Sequence, residues 1–189
     1  MDSFYTRYEL NQLELASFGE NVLISRKVSI YGAEKIRIGD NVRIDDFCIL
    51  SGKITIGNYV HIAAYTALYG GDNGINIHDF ANISSKIVVY SISDDFSGKT
   101  MTNPMIPDKY KNVQSKEVVI ERHVIIGPGC VVLPGIVLKE GSSFGAMTLI
   151  NRSSEPWSIN AGIPFRKLRD RSKELLKLEK EFKKECLEN

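Results

Sequence analysis

From Ile38 an aliphatic residue returns every sixth position, at Ile44, Leu50, Ile56, Ile62 and Leu68. The spacing resumes at Ile77, Ile83 and Val89, and again without a gap at Ile120, Ile126, Val132, Leu138, Phe144 and Ile150. On a helix, steps of six scatter around the axis. In extended chain an even step keeps every marked residue on one face. The third residue of each unit is often a turn former (Asp40, Asp46, Gly52, Asn58, Gly70). The fifth is usually small or apolar (Val42, Cys48, Ile54, Val60, Thr66). Short strands with a corner every six residues define an all-β solenoid of parallel strands, each coil burying its aliphatic residues against the coils above and below. A sandwich is the alternative, but its strands seldom hold one phase through so many units. Counting from Ile24 and taking three units per coil predicts roughly six coils.

Three excursions leave this register: a short one near Ala33 to Ile36, another near Asp72 to Gly74, and a long one from Ile92 to Val119. The long one draws functional attention, because binding and chemistry concentrate on loops held by rigid scaffolds. It carries adjacent acids, Asp94 and Asp95, which read either as groups facing a ligand or as turn formers. Both ends read as helical. Thr6 and Glu9 fit a capping box, while Leu168, Leu175, Leu178 and Phe182 recur at helical spacing in the tail; both segments are expected to cap the solenoid, with pairing to another subunit as the alternative for the tail. The 189 residues thus form one domain: an N-terminal cap (1–20), the β-helix (21–91 and 120–165), a protruding loop (92–119) and a C-terminal helix (166–189).

A formal net charge of +1 gives no overall pull toward nucleic acid or an anionic membrane. No apolar run is long enough to span a membrane, and the polar start has no signal-peptide core, so a cytoplasmic protein is expected. Cys48, Cys130 and Cys186 are odd in number and far apart, which reads as buried free thiols. His61, His78 and His123 fall on one side of the prism by count, but their spacing does not suit a zinc site, and none is assigned. His61 and His123 remain candidates for substrate binding or as a base, or as surface residues. Tyr65, Tyr69 and Tyr90 either stack on a ligand or cover edges.

The repeats IGDNVR, IGNYVH and IGPGCV, followed by FGAMTLINR and AGIPFRKLR, resemble the hexapeptide-repeat acyltransferases, notably the galactoside and maltose acetyltransferase branch. The resemblance implies a left-handed parallel β-helix, a homotrimer, and acetyl-CoA bound between neighbours without a metal. It assigns the cofactor to Gly127, Gly145, Ala146, Asn151, Arg152, Ala161, Gly162, Pro164, Arg166 and Arg169. The chemistry agrees: small residues admit a ligand to the main chain, and cations meet phosphates.

YSISDDFSG, TNPMIPDKYKNV and IERHVIIGPG are similar to the narrower family that acetylates dTDP-4-amino-4,6-dideoxyglucose for bacterial surface polysaccharides. Where the galactoside branch has a catalytic His, this chain has Asp94; where it has a substrate-holding Asn, this chain has Ala64, although the branch's acid is matched by Asp72. A hydroxyl acceptor needs a base, whereas an amine needs orientation and a place for its proton. The resemblance therefore implies an N-acetyltransferase with Asp94, Asp95 and His123 as catalytic candidates and His61, Asp72 and Tyr65 at the substrate. Two other readings are an O-acetyltransferase using His61 or His123, and a non-catalytic assembly subunit.

Overall fold

The structure, a computed structural model, describes residues 3–188. The chain winds into a three-sided prism. Its first face stacks Ser17–Phe18, Ile36–Ile38, 54–56, 75–77, Val118–Ile120 and Val137–Leu138. The second stacks Leu23–Ile24, Arg43–Ile44, His61–Ile62, Asn82–Ile83, Ile125–Ile126, Ser143–Phe144 and Ser158–Gly162. The third stacks Ser29–Tyr31, 49–51, 67–69, Val88–Tyr90, Val131–Val132 and Leu149–Ile150. Every one of these ladders is parallel. The second face has seven rungs rather than six, because a last coil at Ser158–Gly162 replaces the aliphatic marker with Asn160 and so falls silent in a hydrophobic count.

In-register stacking puts Ile24, Ile44, Ile62, Ile83, Ile126 and Phe144 in one column, each at most 3% exposed. Burying a side chain of this size contributes about 1.5 to 3 kcal/mol, so the repeated column is the main source of stability. Val42, Cys48, Ile54, Val60 and Thr66 are buried as the pattern predicts. Cys48 and Cys130 are buried free thiols, and burial pushes the Cys48 thiol up to about 11. Cys186 departs from the expectation, lying exposed on the tail.

A left-handed solenoid needs a left-handed residue at its corners. The first–second corner places Asn21, Asn41, Tyr59, Phe80, His123, Gly141 and Trp157 at positive φ, and the second–third places Phe47, Tyr65, Lys86, Gly129 and Met147 there. Outside the long loop, the third–first corner places only glycines at positive φ, among them Gly32, Gly52, Gly71 and Gly135. Close packing requires this at Gly71, where a Cβ would stand 2.1 Å from Ile92 Cγ2. All three excursions leave at this corner: a 3₁₀ turn at Ala33–Lys35, a bulge within Ala67–Ile77, and the long loop, which departs through Ser91 rather than a glycine. That loop has a two-stranded antiparallel neck, Ile92–Ser93 against Gln114–Ser115, and rejoins the core at Val118.

The N-terminal helix, Arg7–Asn11, has the expected capping box between Thr6 and Glu9 and buries Leu10 at the open end of the core. Arg26 grips Glu9 through bonds of 2.5 and 2.7 Å, which holds the Glu9 carboxyl down to about 2. The C-terminal segment differs from expectation. Phe165–Asp170 is a strand that returns antiparallel along Ser158–Gly162, so Leu168 belongs to a hairpin and the helix runs over Leu175–Glu188. The hairpin covers the end of the prism, with Phe165 edge-on to Phe144 at 5.5 Å. The helix lies along its side. Among the described residues, no helix is long and apolar enough to cross a membrane.

Candidate functional site

Three surface features gather the chemistry. The first is a groove of about 600 Å³ at the foot of the long loop, lined by Tyr69, Tyr90, Phe96, Val113, Leu133 and Asp94 among others. Tyr69 and Tyr90 occupy equivalent positions on successive coils and stack with centroids 5.3 Å apart, forming one wall. The neck presents Asp94 at its end, exposed, and among the described residues its carboxylate has no hydrogen bond or ion pair. Asp95 behaves differently. It accepts from the Ser97 amide at 2.8 Å and the Thr100 hydroxyl at 2.9 Å, and these bonds hold its carboxyl below the usual carboxylate range. Of the two acids, one faces the groove and the other ties the loop.

The second feature is the second–third corner. Ala63, Ser84, Gly127, Gly145 and Ala161 succeed one another there, linked coil to coil by amide bonds such as Ser84 N–H to the Ile126 carbonyl (3.0 Å) and Gly127 N–H to Phe144 (2.8 Å). A Cβ on Gly127 would stand 2.8 Å from the backbone of the next coil, so that glycine serves coil packing. Gly145 and Ala146 are exposed, and Cys130 and Thr148 both donate to the Gly145 carbonyl, at 3.1 and 2.7 Å, which pins this step of main chain.

The third is a pocket of about 660 Å³ at the hairpin, where Arg152, Ala161, Gly162, Pro164 and Arg166 come together. The arginines are not equivalent. Arg152 donates to the Phe165 carbonyl at 2.6 Å with its guanidinium 4.4 Å from that ring's centroid, so it braces the hairpin. Arg166 lines the pocket and has no ion-pair partner among the described residues, which leaves its guanidinium open to an anion. Asn151 and Arg169 are exposed outside this lining. Lys167 is engaged by Asp170 and Glu155, which raise its pKa.

The remaining candidates lie apart. Asp72 is fully out in solvent, 3.6 Å from Lys35. Tyr65 stacks on Phe47 at 5.0 Å, beneath Lys27. His61 projects half-exposed from the second face, its Nε2 2.8 Å from Asp45 Oδ2, while Arg43 Nε donates to Asp45 Oδ1 at 2.7 Å. Burial pushes the Asp45 carboxyl up, but the bonds from His61 and Arg43 outweigh it and hold it below its ordinary value. His123 is buried at the first–second corner, stacked on Phe80 and bonded through Nε2 to Glu179 of the tail helix at 2.8 Å. It lines a different hollow from the groove of Asp94, with Tyr59, Phe80 and Phe182. The three histidines do not converge, and no metal-binding cluster occurs among the described residues.

Residues 35–70 match the family model of the bacterial transferase hexapeptide. A dTDP-4-amino-4,6-dideoxy-D-glucose acyltransferase of Escherichia coli is 44% identical over 184 residues, covering 96% of this chain and 95% of that protein. This chain belongs to that family of hexapeptide acyltransferases. It is an acyltransferase with a left-handed β-helix fold. Solved structures of AntD, an N-acyltransferase from Bacillus cereus, include one with dTDP and 3-hydroxybutyryl-CoA that superposes at a TM-score of 0.96 with 52% identity, covering 98% of this chain and 99% of that one. A putative lipopolysaccharide biosynthesis O-acetyl transferase of Escherichia coli K12, WbbJ, is 28% identical over 78% of this chain and 68% of its own length.

The hexapeptide register did not single out Ser84, which lies in the same corner column as Gly145 and whose only sequence signal is its place directly before Ser85-Lys86 turns the corner. Nor did it find Val113, which becomes visible once the neck pairs Ser93 with Gln114.

Proposed function

We propose that this chain transfers an acyl group from acetyl-CoA, or a related acyl-CoA, to the 4-amine of a nucleotide-linked 4-amino-4,6-dideoxy sugar, dTDP-linked by preference. Surface-polysaccharide assembly in the cytoplasm is the setting this reading implies. The observation that carries it is Asp94: a carboxylate without a partner among the described residues, at a groove walled largely by aromatic and aliphatic side chains, where it can hold an ammonium and take its proton. AntD supports the reading, since its D94A, D94N, S84A and S84C variants were solved with dTDP or dTDP-4-amino-4,6-dideoxyglucose and coenzyme A, and this chain has Asp94 and Ser84 at the same numbers.

The bound acyl-CoA supplies an activated thioester. The exposed Gly145–Ala146 step offers pinned main chain for its arm, and Arg166 is the cation for its phosphates. In one chain the third face separates Ser84 and Asp94, which sit at different corners. A homotrimer that sets one copy's groove against a neighbour's second–third corner would unite them. Light scattering should give three times the chain mass; a fully active monomer would refute the shared site.

Asp94→Asn keeps the shape and removes the charge, and should lower kcat/KM for the amino sugar by about 10² to 10⁴. Full activity in this variant would send the chemistry elsewhere. WbbJ favours a hydroxyl acceptor as the second reading, with His61 and its partner Asp45 as the base; equal turnover of the 4-hydroxy analogue would install it.

A further inference from the structure

Asp94 follows directly on the outgoing strand of the neck, Ile92–Ser93, so whatever holds the neck sets where its carboxylate stands. The outgoing strand is seated at its root. Ser91, fully buried, donates its amide to the Tyr69 carbonyl at 2.9 Å and its hydroxyl to the Gly70 carbonyl, and Ile92 lies against Gly71. The returning strand is held differently. Lys116 N–H donates to the Ser91 carbonyl at 2.8 Å, which flanks the Ile92–Ser115 pair, and in an antiparallel ladder a pair flanked in this way turns its own carbonyls outward. The Ser115 carbonyl therefore lies outside the neck, where Asn73 Nδ2 donates to it at 2.6 Å. Asn73 belongs to the bulge within Ala67–Ile77, 42 residues away in sequence. The bulge thus grips both strands of the neck, one through Gly70 and Gly71 and the other through Asn73.

We infer that Asn73 is a positioning residue for acyl transfer, holding the returning strand of the neck so that Asp94 stands where the sugar amine meets it. The inference rests on the reading of Asp94 as the group that holds that amine. The neck has only two residue pairs, Ile92 with Ser115 and Ser93 with Gln114, and an isolated hairpin of that length does not keep its own register in water. It needs an outside tie. The next one along the returning strand is longer, the Lys116 carbonyl accepting from Gly135 N–H at 3.3 Å, so the short bond from Asn73 fixes Ser115 and, through the pair with Ile92, the strand that ends at Asp94. A displacement of about 1 Å at a reacting group can cost about 10²-fold in rate.

The test is kinetic. Asn73→Ala removes the donor, and Asn73→Asp keeps the shape while setting an oxygen against the Ser115 carbonyl. Each should lower kcat/KM for the amino sugar by about 10- to 100-fold. The dissociation constant for coenzyme A and the midpoint of thermal unfolding should stay nearly unchanged, because the lost bond lies at the surface. Positioning is separated from mere loosening by the double variants. Combined with Asp94→Asn, either change should cost nothing further, since the carboxylate it positions is already gone. A loop that was only loosened would lose more, because Phe96, Asn103, Lys111 and Val113 also wall the groove. Full activity of either Asn73 variant, or losses that multiply in the double variants, would overturn the inference and leave amine acylation intact. Full activity of Asp94→Asn alone would instead defeat the proposed function, and this inference with it.

Discussion

Two corners of the same prism share a backbone and diverge in everything else. At the first–second corner, bulky residues hold the left-handed conformation and stack up the solenoid: Tyr59 on Phe80 at 5.0 Å, Phe80 on His123 at 5.2 Å, and His123 tilted against Trp157 at 6.3 Å. A left-handed conformation costs a non-glycine residue about 1 to 3 kcal/mol, and each ring contact returns about 0.5 to 1.5. The tail helix supplies more, setting Phe182 edge-on to Tyr59 and Phe80, and Glu179 against His123 and Arg122. At the second–third corner the left-handed residues stack only as Phe47 on Tyr65, at 5.0 Å, and beside them runs a column of small residues, Ala63, Ser84, Gly127, Gly145 and Ala161. The contrast teaches that a solenoid corner becomes structure or site according to what stands there: rings recruit the chain's own tail, and small residues leave main chain open to a guest.

The contrast can be broken most severely at Gly141, the one glycine in the first column. Its φ is +67°, and a Cβ would stand 2.4 Å from the Trp157 ring, inside contact distance of a buried indole. Gly141→Ala should destabilise the protein by about 2 to 4 kcal/mol, read as a fall in the denaturation midpoint. Gly98→Ala is the matched control: it has a φ of +78° but open space around its Cβ, and should cost only the backbone strain.

A smaller effect separates the two arginines of the hairpin pocket. Arg166→Ala should weaken coenzyme A binding about tenfold by calorimetry while leaving the melting temperature nearly unchanged, since an exposed charged bond to phosphate yields the low end of roughly 1.5 to 3 kcal/mol. Arg152→Ala should do the reverse, lowering stability through the lost Phe165 carbonyl bond. Identical profiles for the two variants would erase the distinction.

The smallest effect is in the acid limb of stability. Burial pushes the Glu179 carboxyl up, but hydrogen bonds from Lys183 and His123 and the charge of Arg122 outweigh it and hold the group down to about 2 against 4.5. A depressed carboxyl stabilises the fold above its ordinary pKa, and that contribution is lost as pH falls through the range from 4.5 to about 2. Glu179→Gln should flatten that part of the profile and detach the tail helix, seen as faster amide exchange over Leu175–Glu188.

The solenoid was legible because its core repeats: each marker from Ile38 to Ile150 faces inward for the same reason, and repetition multiplies a weak local signal. The count of coils failed at the one rung whose inward residue, Asn160, is polar and satisfied by Ser158 Oγ at 2.8 Å and the Ser143 carbonyl at 3.1 Å. The tail misled for a related reason. Leu168 is 64% exposed on a two-stranded hairpin and happens to stand seven residues before Leu175, which imitates a helical stripe. For the candidate site residues, the bonds each one makes were not readable. Nothing in the string Asp94-Asp95 says which carboxylate bonds Ser97 and Thr100, and nothing near His123 announces Glu179, which lies 56 residues away.

The glycine corner carries a consequence for how such a chain can be lengthened. Because Gly32, Gly52, Gly71 and Gly135 let the backbone turn there without a side chain in the way, residues added at this edge leave the prism and return without shifting the phase of any later coil. The 3₁₀ turn, the bulge and the long loop are three uses of one insertion port, differing only in how much chain was let out. Foreign loops grafted at the open turn after Gly135 should be carried on the outside of an undisturbed frame, whereas one extra residue at either other corner would have to be absorbed by the aliphatic columns themselves.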